Sequence, residues 1–393
     1  MAGFTSKDHE ISSMSASGKV WYSTISKQMN PTLAAVANEW HTLFRGGGYP
    51  QADAIFDTGT NLTFQSLCDQ TTNAGCICHG GNIGTDGDGF KILTAGMAVT
   101  AAATVVPATL MIVDVLGWIR VTSITTTTAQ TVLWPTVGVP ETFTASDSGG
   151  SLLLTYTNDY NTFTKIRVAT TVTLPTGLSV DTDYWITRMS ANTAKVSTSF
   201  ANAIAGTYIA YTDGGTGTQS LNIKLPRTTA GEQVNAIFFN PQATALGAGT
   251  PQLTLGYTNS AGTASRATPT TPSAPIGKTA ASNSHILYSG ATGAGKFGPF
   301  IPLQAADAGI RTIQTIRNNA TYTSGMYSVA LVRRLGILPV QILGQAVIID
   351  FTSNMYPSYP KVEDGAALYG LIKSGVATPV NSAIDMDLVF GWS

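Results

Sequence analysis

The chain of 393 residues is longer than a single hydrophobic core usually organises, so two domains are expected. Charged residues make up only 11 % of it and hydrophobic residues 43 %, which excludes a wholly disordered chain. A net charge of −1 without a basic cluster argues against nucleic acid as a partner. So few charges indicate that neighbouring subunits cover much of the surface. The alternative is a soluble β protein with a surface of Thr and Ser.

Residues 1–29 are polar apart from a few apolar side chains such as Trp21 and Tyr22, and we expect an extended N-terminal arm. In an assembling protein such an arm docks on a neighbour, and the alternative is a frayed terminus. No apolar segment follows the polar residues 1–10, so we expect no secretory signal.

One helix is predicted, from Asn30 to Arg45. Asn30 can cap it, and Pro31 stands at the first helical position, where its missing N–H is harmless. Glycines 46–48 would end it. The apolar stripe of this helix consists of Leu33, Val36, Ala37, Trp40 and Phe44. His41 lies beside the stripe, and we predict a packing or surface role for it rather than a chemical one.

The run Leu93–Ile119 is the one candidate for a membrane span. Pro107 removes a hydrogen-bond donor from it, and Asp114 adds a charge. We therefore interpret the run as two buried strands, Ala95–Val106 and Ala108–Ile119, and expect no membrane partner.

Three cysteines and a histidine fall in one turn-rich segment: Cys68, Cys76, Cys78 and His79. Three thiolates and an imidazole are the donor set of a Cys₃His zinc site. Against that site, three of the ligands crowd one short loop and no C-x₂-C pair exists. A disulfide and free or packed thiols are the other two interpretations.

Two glycine-rich motifs resemble ligand sites but lack essential residues. Residues 86–89 read Asp-Gly-Asp-Gly without the full ligand series or the final Glu of a calcium loop. Residues 290–296 imitate a phosphate-binding loop, but Phe297 stands where Ser or Thr would hold magnesium. We expect no cofactor, and no residues are predicted to be catalytic.

A separate β module is predicted from Trp134 to Asn222. Three short runs alternate between apolar and polar residues, the pattern of half-buried strands, and turn-forming residues separate them. A module of about 85–90 residues is long enough for a sandwich of roughly seven short strands. The alternating residues that share one face are Ile166 and Val168, Tyr184 and Ile186, and Ala194, Val196, Thr198 and Phe200.

This module resembles an Ig-like module that recurs in virion proteins of tailed bacteriophages. The shared pattern is an LPTGL turn, a D-Y-W-I strand, a K-V-S-T-S strand and a GTGT exit. The matching positions are Gly177, Leu178, Asp183, Tyr184, Ile186, Lys195, Thr198, Ser199, Gly206, Gly215 and Gly217. The resemblance implies a virion protein but not which part of the particle it builds.

Two further stretches carry a similar resemblance. If the module were removed, the flanking residues 126–133 and 225–234 would become adjacent. The joined sequence is similar to the "TTAQ…LPR.T.GEGV" sequence of phage structural proteins. Residues 297–316 resemble the "F-I-P-L-Q…D-x-G-I-R-x-I" of tailed-phage capsid-associated proteins. We therefore expect the module to be an insertion in a surface loop, where a long insertion costs little.

The predicted fold is mainly β: a jelly-roll or β-sandwich host domain with one N-terminal helix and an inserted small β-sandwich. The predicted division is an arm at 1–29, a discontinuous host at 30–133 plus 223–393, and the inserted module at 134–222.

The resemblance implies a non-enzymatic structural component of a phage particle, with a capsid cement or decoration protein as the leading hypothesis. Such a protein lies on the capsid exterior after assembly in the host cytoplasm. It binds the major capsid protein and itself, as a trimer or dimer. The second hypothesis is a tail, collar or head-fibre protein whose module binds a host surface glycan. The third is a glycan depolymerase that uses Asp147, Asp159, Asp181, Asp183 or Asp213.

Overall fold

The chain divides into two compact units. The host unit comprises residues 1–131, 230–311 and 315–393, and the barrel unit comprises 132–229 with 312–314. The computed structural model describes residues 7–29, 37–53, 56, 65–70, 73–81, 90–121, 124–135, 141–157, 160, 162, 164–180, 182–242, 244–249, 251–269, 284–287, 298–352, 361–379 and 382–392. The expected insertion at 134–222 lies inside the barrel unit.

The elements run in the following order. Up to Trp134 they are α1 (Lys7–Ser17), β1 (Val20–Gln28), β2 (Trp40–Thr42), β3 (Gly48–Tyr49), β4 (Gln65–Leu67), β5 (Phe90–Val99), β6 (Ala108–Arg120) and β7 (Gln130–Trp134). Next come β8 (Glu141–Ser148), β9 (Ser151–Thr155), β10 (Lys165–Thr170), β11 (Asp183–Ser190), β12 (Thr193–Ser197), α2 (Phe200–Ile204) and β13 (Gln219–Ile223). The remainder are β14 (Val234–Phe239), β15 (Leu253–Asn259), β16 (Arg266–Ala267), β17 (Ile310–Asn318), β18 (Ser328–Val340), β19 (Val347–Asp350), β20 (Lys361–Glu363), β21 (Leu368–Ser374) and β22 (Ala383–Gly391).

The host unit is built around a β-sandwich. Its first sheet has the order β19-β5-β22-β1-β3, and β20 also pairs with β5. Its second sheet has the order β14-β18-β6-β21-β2, and β4 also pairs with β6. One hydrophobic core joins the two sheets, because it takes side chains from β1, β5 and β22 on one side and from β6, β18 and β21 on the other. The prediction of a mainly β sandwich is confirmed.

A four-stranded sheet, β16-β15-β17-β7, accompanies the sandwich. The stretch that resembles capsid-associated proteins contributes Asp307, whose carboxylate accepts hydrogen bonds from Tyr257 Oη at 2.6 Å and Asn259 Nδ2 at 2.7 Å. Arg266 adds a bidentate pair to the same carboxylate, with both distances 3.0 Å. The Arg266 hydrogen bond, opposed by desolvation, lowers the pKa of Asp307 to about 2. This carboxylate therefore ties the segment before β17 to β15 and β16.

The barrel unit contains a closed antiparallel barrel of six strands, β10-β11-β12-β9-β8-β13. Its core contains Ile166, Val168, Tyr184, Ile186, Ala194 and Val196, as period-two alternation predicts. The third run is wrong beyond Val196, because Thr198 is exposed and Phe200 begins α2. The other core residues are Phe143, Leu152, Leu154, Tyr156, Leu178 and Leu221. It differs from the two separate sheets of an Ig-like sandwich because β8 pairs with both β9 and β13. Closure of this kind leaves no strand edge exposed.

The predicted helix is wrong over its described part. Residues 30–36 lie outside the described residues, and Trp40–Thr42 form β2, which pairs with β21. Every side chain of β2 is buried, so the helical spacing of Trp40 and Phe44 did not reflect a helix with a solvent face. Gly48, which follows β2, allows its backbone to lie close to β1. It has a φ of +97°, and a Cβ there would lie 1.9 Å from Ser26 O.

The expectation of an extended arm is also wrong for residues 7–29. Lys7–Ser17 form α1, and β1 pairs along its whole length with β22 and at Ser26 and Lys27 with β3. Helix α1 is tied down by Glu10, which accepts a hydrogen bond from Thr352 Oγ1 at 2.9 Å. Strand β1 is part of the sandwich because it pairs with β22 and β3 in the first sheet and packs Ile25 into the core.

Candidate functional site

The two faces of the first sheet differ in what covers them. The register aligns Ala98, Met386 and Ile25 across β5, β22 and β1, and all three are buried in the sandwich core. Because side chains alternate along a strand, their neighbours in sequence lie on the opposite face. That opposite face, called the open face here, carries Tyr22, Thr24, Tyr49, Met97, Ile348, Asp385, Asp387 and Val389.

The open face presents large apolar side chains to solvent. Tyr22, Tyr49 and Ile348 are 69 %, 68 % and 71 % exposed. They lie on three different strands, β1, β3 and β19, so they are spread over the width of the sheet. The acidic residues Asp385 and Asp387 stand between them on β22. A sheet face that exposes three large apolar side chains among acidic neighbours is a candidate protein-interaction surface.

Two buried lysines hold loops at the margins of this sheet. Lys27 Nζ donates to the carbonyls of Gly46 at 3.0 Å and Gln51 at 2.9 Å. Burial lowers the pKa of Lys27 to about 8, against the opposing effect of nearby Asp53. The loop that carries Tyr49 is therefore anchored by a buried ammonium group.

Lys91 makes the equivalent contacts on β5. Its Nζ donates to the carbonyls of His79 at 2.6 Å and Gly81 at 2.7 Å. Burial lowers the pKa of this lysine to about 8 as well, and nearby Asp364 opposes the shift. Both lysines thus hold irregular backbone close to the sheet.

The four zinc candidates do not converge. Cys68 and Cys76 are buried and Cys78 is exposed, and the three cysteines, all of them described, form no disulfide bond. His79 is fully buried, and its Nε2 donates to Ala366 O at 3.1 Å. Cys68, Cys76, Cys78 and His79 do not form a group whose ligand atoms all lie within 4.8 Å of one another. A Cys₃His zinc site in this segment does not match the structure.

One such group does occur among the described residues, and it consists of Glu39, His41 and His285. All three are buried, with 2–3 % of their surface exposed. The two imidazole rings lie with their centroids 4.2 Å apart, and His285 Nε2 contacts the Glu39 carboxylate. Sequence reasoning missed this cluster, because it treated His41 as an isolated histidine on a helix and gave His285 no role.

The carboxylates of the module serve its local structure. Asp147 accepts a hydrogen bond from Gly150 N at 2.8 Å, and Asp213 accepts one from Gly215 N at 2.9 Å, both within turns. Asp183 is paired with Lys165 Nζ at 2.9 Å and with Arg167. Desolvation by burial acts to raise the pKa of Asp183, but the hydrogen bonds and charges of these two cations outweigh it and lower the pKa. Asp159 and Asp181 lie outside the described residues.

The calcium-like residues 86–89 and the phosphate-loop-like residues 290–296 lie outside the described residues.

No protein-family model matches the chain, and no curated protein matches it. Among solved structures, the chain resembles the VP2 subviral particle of infectious bursal disease virus with 9 % identity. That similarity covers 95 % of this chain and 80 % of the other at a TM-score of 0.16, which is too slight to carry a functional assignment. Of the helices in the described residues, neither α1 nor α2 is long and apolar enough to cross a membrane.

Proposed function

We propose that this chain is a structural component of a tailed-phage particle that decorates and stabilises the assembled capsid. The observation that carries the proposal is the open face, on which Tyr22, Tyr49 and Ile348 stand in solvent although the opposite face of the same sheet packs into the sandwich core. The resemblance of residues 174–217 and 297–316 to phage virion proteins supports the same assignment.

The partner is the major capsid protein in its assembled lattice. Tyrosines supply large contact area at low entropic cost, and aromatic residues dominate the affinity of many interfaces. A protein that binds the lattice in preference to free subunits stabilises the shell by mass action. A closed homo-oligomer, a trimer or dimer, places several open faces on one capsid symmetry axis.

Reconstitution on particles that lack this chain tests the proposal. We expect the purified protein to sediment with such particles and to raise the temperature at which they release their genome. Replacing Tyr22, Tyr49 and Ile348 together by Ser should weaken binding by at least about tenfold, because buried aromatic contacts contribute 1.4 kcal/mol or more in total.

A matched control comes from the barrel unit, where Val172, Val180 and Met189 are also exposed by more than half. The triple Ser variant at these positions also removes three exposed apolar side chains, away from the open face, and should bind as the wild type does. Equal loss in both triple variants, or no loss in the first, would contradict the role of the open face.

Copy number separates this proposal from a tail, collar or head-fibre protein that binds a host glycan. A decoration protein is present in hundreds of copies per particle, whereas a fibre or collar protein is present in tens or fewer. Quantitative mass spectrometry of purified particles measures this directly. Particles without the chain, or with it only in the tail, would refute the decoration role.

A further inference from the structure

The cluster of Glu39, His41 and His285 arises from strand pairing. Thr42 N donates to Ser284 O at 2.7 Å, and Ile286 N donates to Trp40 O at 3.0 Å. These two bonds flank the bridge between His41 and His285, which makes the histidines a non-hydrogen-bonded antiparallel pair. In such a pair the Cα atoms are closest and the side chains face each other.

Glu39 joins the histidines because it lies two residues before His41. Residues i and i+2 of an extended chain point to the same face, so the carboxylate and the imidazole of His41 emerge on one side. Asn38 N, which donates to Ser374 O at 2.6 Å, holds the turn that leads into Glu39. Three ligand atoms therefore converge to within 4.8 Å from two separate parts of the host unit.

The donor set indicates which ligand fits. Two imidazole nitrogens and one carboxylate oxygen match the preferences of Zn²⁺, which binds His₂Glu sets with one position left for water or another ligand. A buried carboxylate needs a compensating cation, and a zinc ion would supply one while it binds both imidazole rings at once.

We propose that Glu39, His41 and His285 bind one zinc ion, which links β2 to the segment 284–287. The ion would join two chain segments that are distant in sequence, since Glu39 and His285 are separated by 246 residues. Bound there, the ion would hold the 284–287 segment against β2 on one side, while Phe239 pairs with Ile286 on the other. The site is independent of the open face and of the proposed capsid partner.

Metal analysis of the full chain tests the proposal. After dialysis against a chelator and reloading with zinc, we expect one zinc ion per chain by mass spectrometry of the metal. His41→Gln and His285→Gln should each lose it, while Cys78→Ser and His79→Gln should keep it. Retention of zinc by the His41→Gln, His285→Gln double variant, or no stoichiometric zinc in the wild type, would overturn the proposal.

A second measurement does not depend on whether the variants fold. Cobalt(II) in the wild-type chain should give the visible bands of a four- or five-coordinate ion without a thiolate-to-cobalt charge-transfer band. A charge-transfer band would place the metal on Cys68, Cys76 or Cys78 and would refute this site. Zinc at a hundred times its dissociation constant should also raise the melting temperature of the host by roughly 4 °C. An unchanged melting temperature would contradict a structural role.

Discussion

The host unit and the barrel unit differ in how deeply they bury their acidic side chains. In the host, Asp114 is completely buried on β6 and is bonded to Arg333 Nη2 at 3.0 Å and to Ala367 N at 3.1 Å. In the barrel, the side chains of Asp183 and Arg167 remain 26 % and 27 % exposed at the end of a regular alternation. The barrel buries mainly alternating apolar side chains, together with Lys165, Ser197 and Gln219, whereas the two-sheet host also buries carboxylates such as Asp114.

The comparison predicts that the host loses most when a buried charge is removed. Asp114→Ala leaves the guanidinium of Arg333, which is only 14 % exposed, without its buried partner. We expect the free energy of unfolding of the host to fall by about 3–5 kcal/mol, the usual cost of breaking a buried pair. Calorimetry should show the host transition shifting down while the barrel transition stays in place. A change below about 1 kcal/mol would contradict this view of the host.

The two buried lysines predict an unusual dependence on pH. The unfolded chain keeps Lys27 and Lys91 protonated up to about pH 10.5, whereas the folded chain releases their protons near pH 8. Between these values the unfolded state binds more protons, so stability should rise with pH, by roughly 3 kcal/mol at most for each lysine.

Buried tyrosines determine the pH above which stability stops rising. Burial raises the pKa of Tyr322, Tyr327 and Tyr369 well above 10, so the unfolded state loses their protons first above that pH and stability falls again. Urea titrations from pH 7 to 11 measure the profile. The double variant Lys27→Met, Lys91→Met should flatten the rise, and a rise that persists in it would assign the effect to other groups.

The third expected effect concerns Asp307. Replacing it by Ala deprives the Tyr257 hydroxyl, the Asn259 amide and the Arg266 guanidinium of their shared acceptor. We expect a loss of about 2–3 kcal/mol, because the hydroxyl and amide lie partly buried. Stability of the wild type should also fall as the pH drops from 3.8 to about 2, since the carboxylate is held ionised in the fold. Unfolding by urea at pH 7 and pH 3 checks both, and Asp307→Ala should lose this acid dependence.

A smaller effect is expected from the corresponding change in the barrel. Asp183→Asn removes a partly exposed ion pair with Lys165 and Arg167 and should cost about 1 kcal/mol. Salt should reduce the difference between the variant and the wild type, because solvent screens exposed charges. A cost as large as that of Asp114→Ala would remove the distinction between the two units.

The smallest effect on the host should follow from removing the barrel. Deleting 134–222 and joining the ends through a short Gly-Ser linker should leave the host transition nearly unchanged, since a surface loop tolerates changes in length. The shortened chain should still bind capsids through the open face. An unfolded product would show that the host depends on the barrel, whereas a folded product that no longer binds would move the capsid contact to the barrel.

Local periodicity predicted the barrel core well and failed at β2. Tyr184, Ile186 and Val196 are buried as their alternation indicates, because a period of two is a property of each strand. Trp40 and Phe44 have helical spacing, yet the segment becomes a strand through hydrogen bonds to β21 and to residues 284 and 286. A three-residue strand buried on all sides has no polar face, so its sequence carries no periodic signal.

The same limit explains the candidate sites. The sequence alone determined the β class of the chain and the buried positions Ile166, Val168, Tyr184, Ile186, Ala194 and Val196, since these depend on neighbours along the chain. Tertiary structure alone decided that Cys68, Cys76, Cys78 and His79 stay apart, that Glu39 and His41 meet His285, and that Tyr22, Tyr49 and Ile348 share one open face. Each of these depends on the order and register of strands distant in sequence, which backbone hydrogen bonding sets only once the sheets have formed.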